Sequence, residues 1–148
     1  MIKTVGKIIA VLFLFIILSS FYHPAETGIK VTITNLRNNK GHVLISLFKE
    51  GVGYPDKPDK AFRKTKLAIS DHKTAVFFTD LPSGNYAIAI LHDENDDQKM
   101  NTNFFGLPKE GYGFSNNVMG TFGPPSHSKA SFSYATPGLT YQQIKTRY

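Results

Sequence analysis

Residues 26–148 predict an all-β fold, a two-sheet sandwich, after an N-terminal signal peptide at residues 1–25. Three observations carry the prediction. Apolar residues recur at every second position from Gly28 onward. Clusters of Gly, Pro, Asn and Asp interrupt these runs at short intervals. No window of eleven or more residues beyond the N-terminal segment carries a helical apolar stripe. The size is consistent: 148 residues, 41% hydrophobic and 19% charged, fit one globular domain.

The N-terminal segment reads as an address. Lys3 and Lys7 precede an unbroken apolar run at residues 8–18, followed by Ser19 and Ser20. A positive start, a short apolar core and small residues at its end are the marks of a secretory signal. The run falls short of the roughly 20 apolar residues that span a bilayer. Cleavage is expected between Ser20 and Ala25, leaving no transmembrane domain. Retention as an anchor is the alternative, and both readings put the domain outside the cytoplasm, in the periplasm or secreted. Without Lys3 and Lys7 the balance is 15 basic against 11 acidic residues, and an exported chain has little occasion to meet nucleic acid. The absence of cysteine excludes a disulfide scaffold, a thiol nucleophile and a thiolate zinc site.

The strands follow in order. Ile29, Val31 and Ile33 alternate with Lys30, Thr32 and Thr34, predicting a half-buried strand. Residues 36–41, with Asn38, Asn39 and Gly41, supply the turn of a hairpin leading into residues 42–48, whose apolar run predicts a strand covered on both faces. Gly51, Gly53, Pro55 and Pro58 make residues 49–63 a connection. Here Lys57, Lys60, Arg63, Lys64 and Lys66 interleave with Asp56 and Asp59, a solvated loop or a weak site for anionic glycan or lipid headgroups. Short strands are expected at 66–70 and 75–79 around a turn at Asp71, His72 and Lys73. After a turn at 80–84 comes the strongest strand, 85–92. Residues 130–135 and 141–146 close the series. Ile29, Val31, Ile33, Val43, Ile45, Leu47, Tyr86, Ile88 and Ile90 are expected to face the core.

A long loop, residues 93–125, follows the strongest strand. Its first part offers oxygen side chains at Asp93, Asn95, Asp97 and Asn101, with Lys99 placed to give a backbone carbonyl. Alternate donors on a curled loop suit calcium, which takes six to eight oxygens at about 2.3–2.6 Å. Gln98 stands where such loops carry glycine and Phe104 where they carry a bidentate acid, so Glu110 is the candidate for the missing carboxylate. A capped polar turn that needs no ion is the competing reading. The second part, rich in Gly and aromatics, reads as an ordered flap on a sheet edge. Alternatively it is a binding platform, with Tyr112 or Phe114 stacking on a sugar or peptide and Ser115, Asn116 and Asn117 hydrogen-bonding it.

No nucleophile elbow, metalloprotease helix motif or phosphate loop is present. His92 and His127, with acidic residues such as Asp93, are the candidates for a zinc hydrolase or acid–base site. The leading reading is an exported interaction or accessory module, without assigned catalysis. Its candidate partners are glycan, peptide or an envelope protein.

Three stretches carry a family likeness. They are Leu81-Pro82-Ser83-Gly84-Asn85-Tyr86-Ala87, His92-Asp93-Glu94-Asn95, and Asn103-Phe104-Phe105-Gly106 running on to Glu110-Gly111-Tyr112-Gly113-Phe114-Ser115-Asn116-Asn117. With Phe122-Gly123-Pro124-Pro125, they resemble the exported bacterial domain of unknown function 2141 (DUF2141) over nearly all of residues 28–146. In that family the acidic loop usually carries glycines where Asp96 and Gln98 stand, and Asp in place of Asn101. The resemblance implies a transthyretin-like or immunoglobulin-like sandwich and no particular activity.

Overall fold

The computed structural model describes residues 26–148, so the signal-peptide expectation lies outside the described residues. Among the described residues, period-two patterning produces eight strands: β1 (Gly28–Thr34), β2 (His42–Lys49), β3 (Arg63–Leu67), β4 (Thr74–Phe78), β5 (Gly84–Asp93), β6 (Gly111–Phe114), β7 (Phe132–Tyr134) and β8 (Leu139–Lys145), with one α-helical turn, α1 (His127–Ala130), and two 3-10 turns. One sheet has the order β4-β1-β8, the other β3-β2-β5-β6, and β7 pairs with β5 beside β6. The sandwich is therefore as expected.

The core lies between the sheets. Ile29, Val31 and Ile33 of β1, Val43, Ile45 and Leu47 of β2, and Tyr86, Ile88 and Ile90 of β5 form one cluster, none more than 4% exposed. Each buried aliphatic or aromatic side chain contributes about 1.5–3 kcal/mol, and no residue of 94–110 belongs to this cluster.

Two expected hairpins do not form. Residues 36–41 join strands in different sheets: β1 pairs with β4 and, in parallel, with β8, whereas β2 pairs with β3 and β5. The inward residues of β1 and β2 belong to one core and meet across it rather than side by side, so the chain crosses over at this point. Gly41 is required there, because a Cβ would lie 1.9 Å from the carbonyl oxygen of Asp93. The turn at Asp71 and His72 does form, closed by the Ser70–Lys73 bridge. Its flanking strands nevertheless diverge, β3 to one sheet and β4 to the other. The basic run is thus split. Lys57 caps and Lys60 ends a 3-10 turn, while Arg63, Lys64 and Lys66 project from β3, an edge strand that their charge protects against pairing with another chain.

The covering expected on both faces of β2 is local. Phe48 is buried on the outer face, while Leu44 and Ser46 are only half-buried. The cover comes from Tyr54 and residues 114–130: Phe114 and Ala130 pack on Ala87, and Tyr54 bridges the Phe48 and Phe114 rings edge-on. Strand β6, expected as loop, pairs antiparallel with Ala89–His92. Its alternate glycines are a packing requirement. Added Cβ atoms would fall 2.5 Å from Thr146 Cγ2 at Gly111 and 2.8 Å from Ile144 Cγ2 at Gly113. No helix among the described residues is long and apolar enough to cross a membrane.

Candidate functional site

Strand β5 delivers Asp93, fully buried, to the mouth of the acidic loop, where the chain curls back on it. One carboxylate oxygen accepts the Asp97 N–H at 3.2 Å and the other the Gln98 N–H at 2.8 Å. The side chain of Asn95 also accepts the Asp97 N–H, at 3.3 Å. Asp97 in turn accepts the Lys99 N–H at 2.8 Å, and the side-chain amides of Asn95 and Asn101 at 3.0 and 2.9 Å. Asp93, Asn95, Asp97 and Asn101 thus hydrogen-bond around one curl, with Asp93 buried and Asn95 and Asp97 exposed. Asp96 and Gln98 both hold φ of +62°, the left-handed conformation that glycine adopts most cheaply.

Carboxylates brace the curl from outside. Glu110, buried at the start of β6, accepts the N–H groups of Glu94 at 2.9 Å and Asn101 at 3.0 Å, pinning both ends. It therefore braces the backbone on which the donors ride. Asp96 pairs with His42 at 2.6 Å and Lys66 at 3.0 Å, tying the loop to β2 and β3. Lys66 and then His42 hold the Asp96 carboxyl below its ordinary value. The amides of Asn101 and Asn95, then the Lys99 N–H, do the same for Asp97. For Glu94, desolvation pushes upward, but hydrogen bonds from Asn38 and Arg37 outweigh it and the value falls.

The residues of the expected binding platform lie apart from this curl, Phe114 and Ser115 buried and Asn116 and Asn117 exposed but hydrogen-bonded to neighbouring backbone. Tyr112 is half-buried, its ring edge-on to Phe114, which is 6% exposed. The buried Ser115 hydroxyl donates to the Ala130 carbonyl at 2.5 Å and accepts the Ile88 N–H at 2.9 Å. Asn116 donates to the Ser131 carbonyl at 2.9 Å and the Lys129 carbonyl at 3.3 Å. Asn117 donates to the Gln143 carbonyl and accepts the Lys145 N–H, each at 2.8 Å, extending the edge of β8. Left-handed backbone at Asn116 (φ +60°) and Asn117 (φ +54°) accompanies these bonds from exposed side chains to neighbouring backbone.

His92 and His127 do not form the pair considered for zinc or acid–base chemistry. His92 is fully buried at the loop end of β5, with Nδ1 2.6 Å from the Tyr148 hydroxyl and Nε2 2.9 Å from the Lys40 carbonyl. A carbonyl can only accept, so Nε2 carries a proton and neither nitrogen presents a free lone pair. His127 packs on Gly51 and Tyr54 at the other end of the five-stranded sheet. Six residues of β5, about 20 Å at the strand rise, separate the two ends. Among the described residues no group of three or more His, Cys, Asp or Glu is placed to hold a metal. The acidic curl is a different donor set, two carboxylates with two amides.

A further feature escaped the sequence reading. Beyond the curl, the Thr102–Pro108 bridge closes a tight turn. The Asn103 side chain accepts the N–H groups of Phe105 and Leu107 at 2.9 and 3.0 Å, and its backbone pairs with Gly106 and Leu107. The turn holds Phe104 98%, Phe105 83% and Leu107 60% exposed, the two rings edge-to-face. The available signal was two adjacent Phe between Asn103 and Gly106-Leu107-Pro108, since apolar residues at the apex of a turn have no sheet face to enter. A shallow depression lined by Lys49, Glu50, Val52, Lys60 and Phe62 lies near the other end of β2.

Residues 31–142 match the model of a family described as an uncharacterized protein conserved in bacteria (DUF2141). No curated protein and no solved structure matches the chain. The chain belongs to the DUF2141 family.

Proposed function

We propose that this protein is an exported interaction or accessory module of the cell envelope whose 93–101 curl takes a calcium ion. Export rests on the pattern of residues 1–20. The candidate partners are glycan, peptide or an envelope protein. The observation that carries the calcium reading is the gathering of Asp93, Asn95, Asp97 and Asn101 around one curl, with left-handed turns at Asp96 and Gln98. Those four side chains, with the Lys99 carbonyl, would hold the ion. Two carboxylates match a divalent charge. The Asn95 and Asn101 amides, which now present nitrogen to Asp97, would rotate to present oxygen. A bound ion would supply structural order and no chemical step. Neither Asp97 nor Asn101 is needed by the core, so loop order can vary without unfolding the sandwich.

Thermal unfolding of residues 26–148, which contain both sheets and the whole described core, tests this reading. At free calcium about ten times Kd, linkage adds roughly 1.4 kcal/mol, a midpoint rise of about 4–6 °C for a domain of this size. The rise should occur with calcium, not with magnesium or zinc, and disappear with chelator and in Asp97→Asn. No rise, or a rise with zinc alone, contradicts it.

A further inference from the structure

The geometry points to the 103–107 turn as a membrane-docking tip that inserts Phe104, Phe105 and Leu107 shallowly into an anionic lipid surface. This goes beyond the partner classes proposed above and does not depend on calcium.

Three observations select lipid over a protein partner. The first is shape and area. The apolar groups crown a convex turn, and at about 200 Å² per ring they offer on the order of 400–500 Å². A stable protein interface needs roughly 800 Å² from each partner, whereas a deformable interfacial layer accepts a protruding tip of any outline. The second is charge. From residue 98 to 109 the charged side chains are Lys99 and Lys109, both exposed and both basic, flanking the apolar apex. Of the nearest preceding acids, Asp96 is paired with His42 and Lys66, while Asp97 stays anionic and is hydrogen-bonded within the curl by the amides of Asn95 and Asn101. Glu110, next after the tip, is buried beneath backbone N–H groups. A basic collar below an apolar apex complements anionic headgroups over hydrocarbon. The third is rigidity. The Asn103 side chain and backbone hold the turn with four hydrogen bonds, so the rings are presented with little ordering left to lose on insertion.

The chain contains no tryptophan, which makes a single-tryptophan probe direct. Phe104→Trp in residues 26–148 is mixed, in chelator, with vesicles of neutral phosphatidylcholine or of phosphatidylcholine with phosphatidylglycerol. Emission should shift to the blue and be quenched by bilayer-embedded bromolipid on the anionic vesicles, with at least tenfold weaker binding to neutral ones. Lys99→Glu with Lys109→Glu should weaken binding at least tenfold, and so should half-molar salt. Phe122→Trp, equally exposed outside this turn, should not respond. Unshifted emission on anionic vesicles overturns the proposal. So does equal binding to both compositions, or a concentration-dependent dimer abolished by Phe104→Ser, which would assign the tip to protein contact. Because chelator is present throughout, failure here leaves the calcium reading standing, and failure of the calcium titration leaves this one standing.

Discussion

The chain between β5 and β7 contains two polar-and-aromatic stretches that look alike in sequence and behave in opposite ways. In residues 112–117 the aromatic rings pack on the sheet and Ser115, Asn116 and Asn117 bond to backbone across three elements. In residues 93–107 the polar groups bond mainly to their own loop, and the aromatic rings stand in solvent. The first stretch fastens the fold, and the second is a projection bonded largely within itself and tied to β2 and β3 through Asp96. Left-handed backbone occurs in both, so it does not tell them apart; the direction of the hydrogen bonds does.

The largest effect expected from breaking this contrast is at Ser115. Its hydroxyl serves both the Ile88 N–H and the Ala130 carbonyl in a dry site. Ser115→Ala should orphan both and cost about 2–3 kcal/mol in denaturant unfolding, with or without calcium. If this change proves neutral, the 112–117 stretch is not the fastening assigned to it.

An intermediate effect is expected on acidification. Glu94, Asp96 and Asp97 have folded values below their ordinary ones. Their contribution is therefore complete above the unfolded carboxylate value near 4 and is lost as pH falls through the lower folded values. The thermal midpoint should decline below about pH 4, and the decline should be shallower in Asp97→Asn, whereas Ser115→Ala should keep the wild-type slope. The solvent exposure of Asp96 and Asp97 keeps this effect small and sensitive to salt.

The smallest effect belongs to the tip. Phe104→Ser with Phe105→Ser removes two rings that the core never touches, so stability should stay within about 0.5 kcal/mol by the same denaturant assay. A larger loss would mean that the turn is part of the fold after all.

Much of the sandwich was legible because burial imposes period two. Ile29, Val31 and Ile33 announce an inward face wherever β1 sits in the sheets. Which strand neighbours which was not legible, since Asn38-Asn39-Lys40-Gly41 serves a crossover as well as a hairpin. Strand β6 was hidden by Gly111 and Gly113, which read as loop residues until Thr146 and Ile144 are seen against them. The spacing of Asp93, Asn95, Asp97 and Asn101 singled out a stretch whose side chains hydrogen-bond to one another, but not that the Asn95 and Asn101 amides turn nitrogen toward Asp97. The backbone partners of Asn116 and Asn117 were invisible, since they lie on α1 and β8, distant in sequence. The exposed rings were missed for the converse reason: sequence shows that Phe104 is apolar, not that nothing covers it.

Amide chemical shifts of isotope-labelled residues 26–148 during a calcium titration distinguish the two stretches within one sample. The account predicts saturable movement of the Asp97, Gln98, Lys99 and Asn101 amides at a single site, while those of residues 112–117 stay fixed. Static amides at 97–101 up to millimolar calcium, or shifts spread evenly over both stretches, would contradict it.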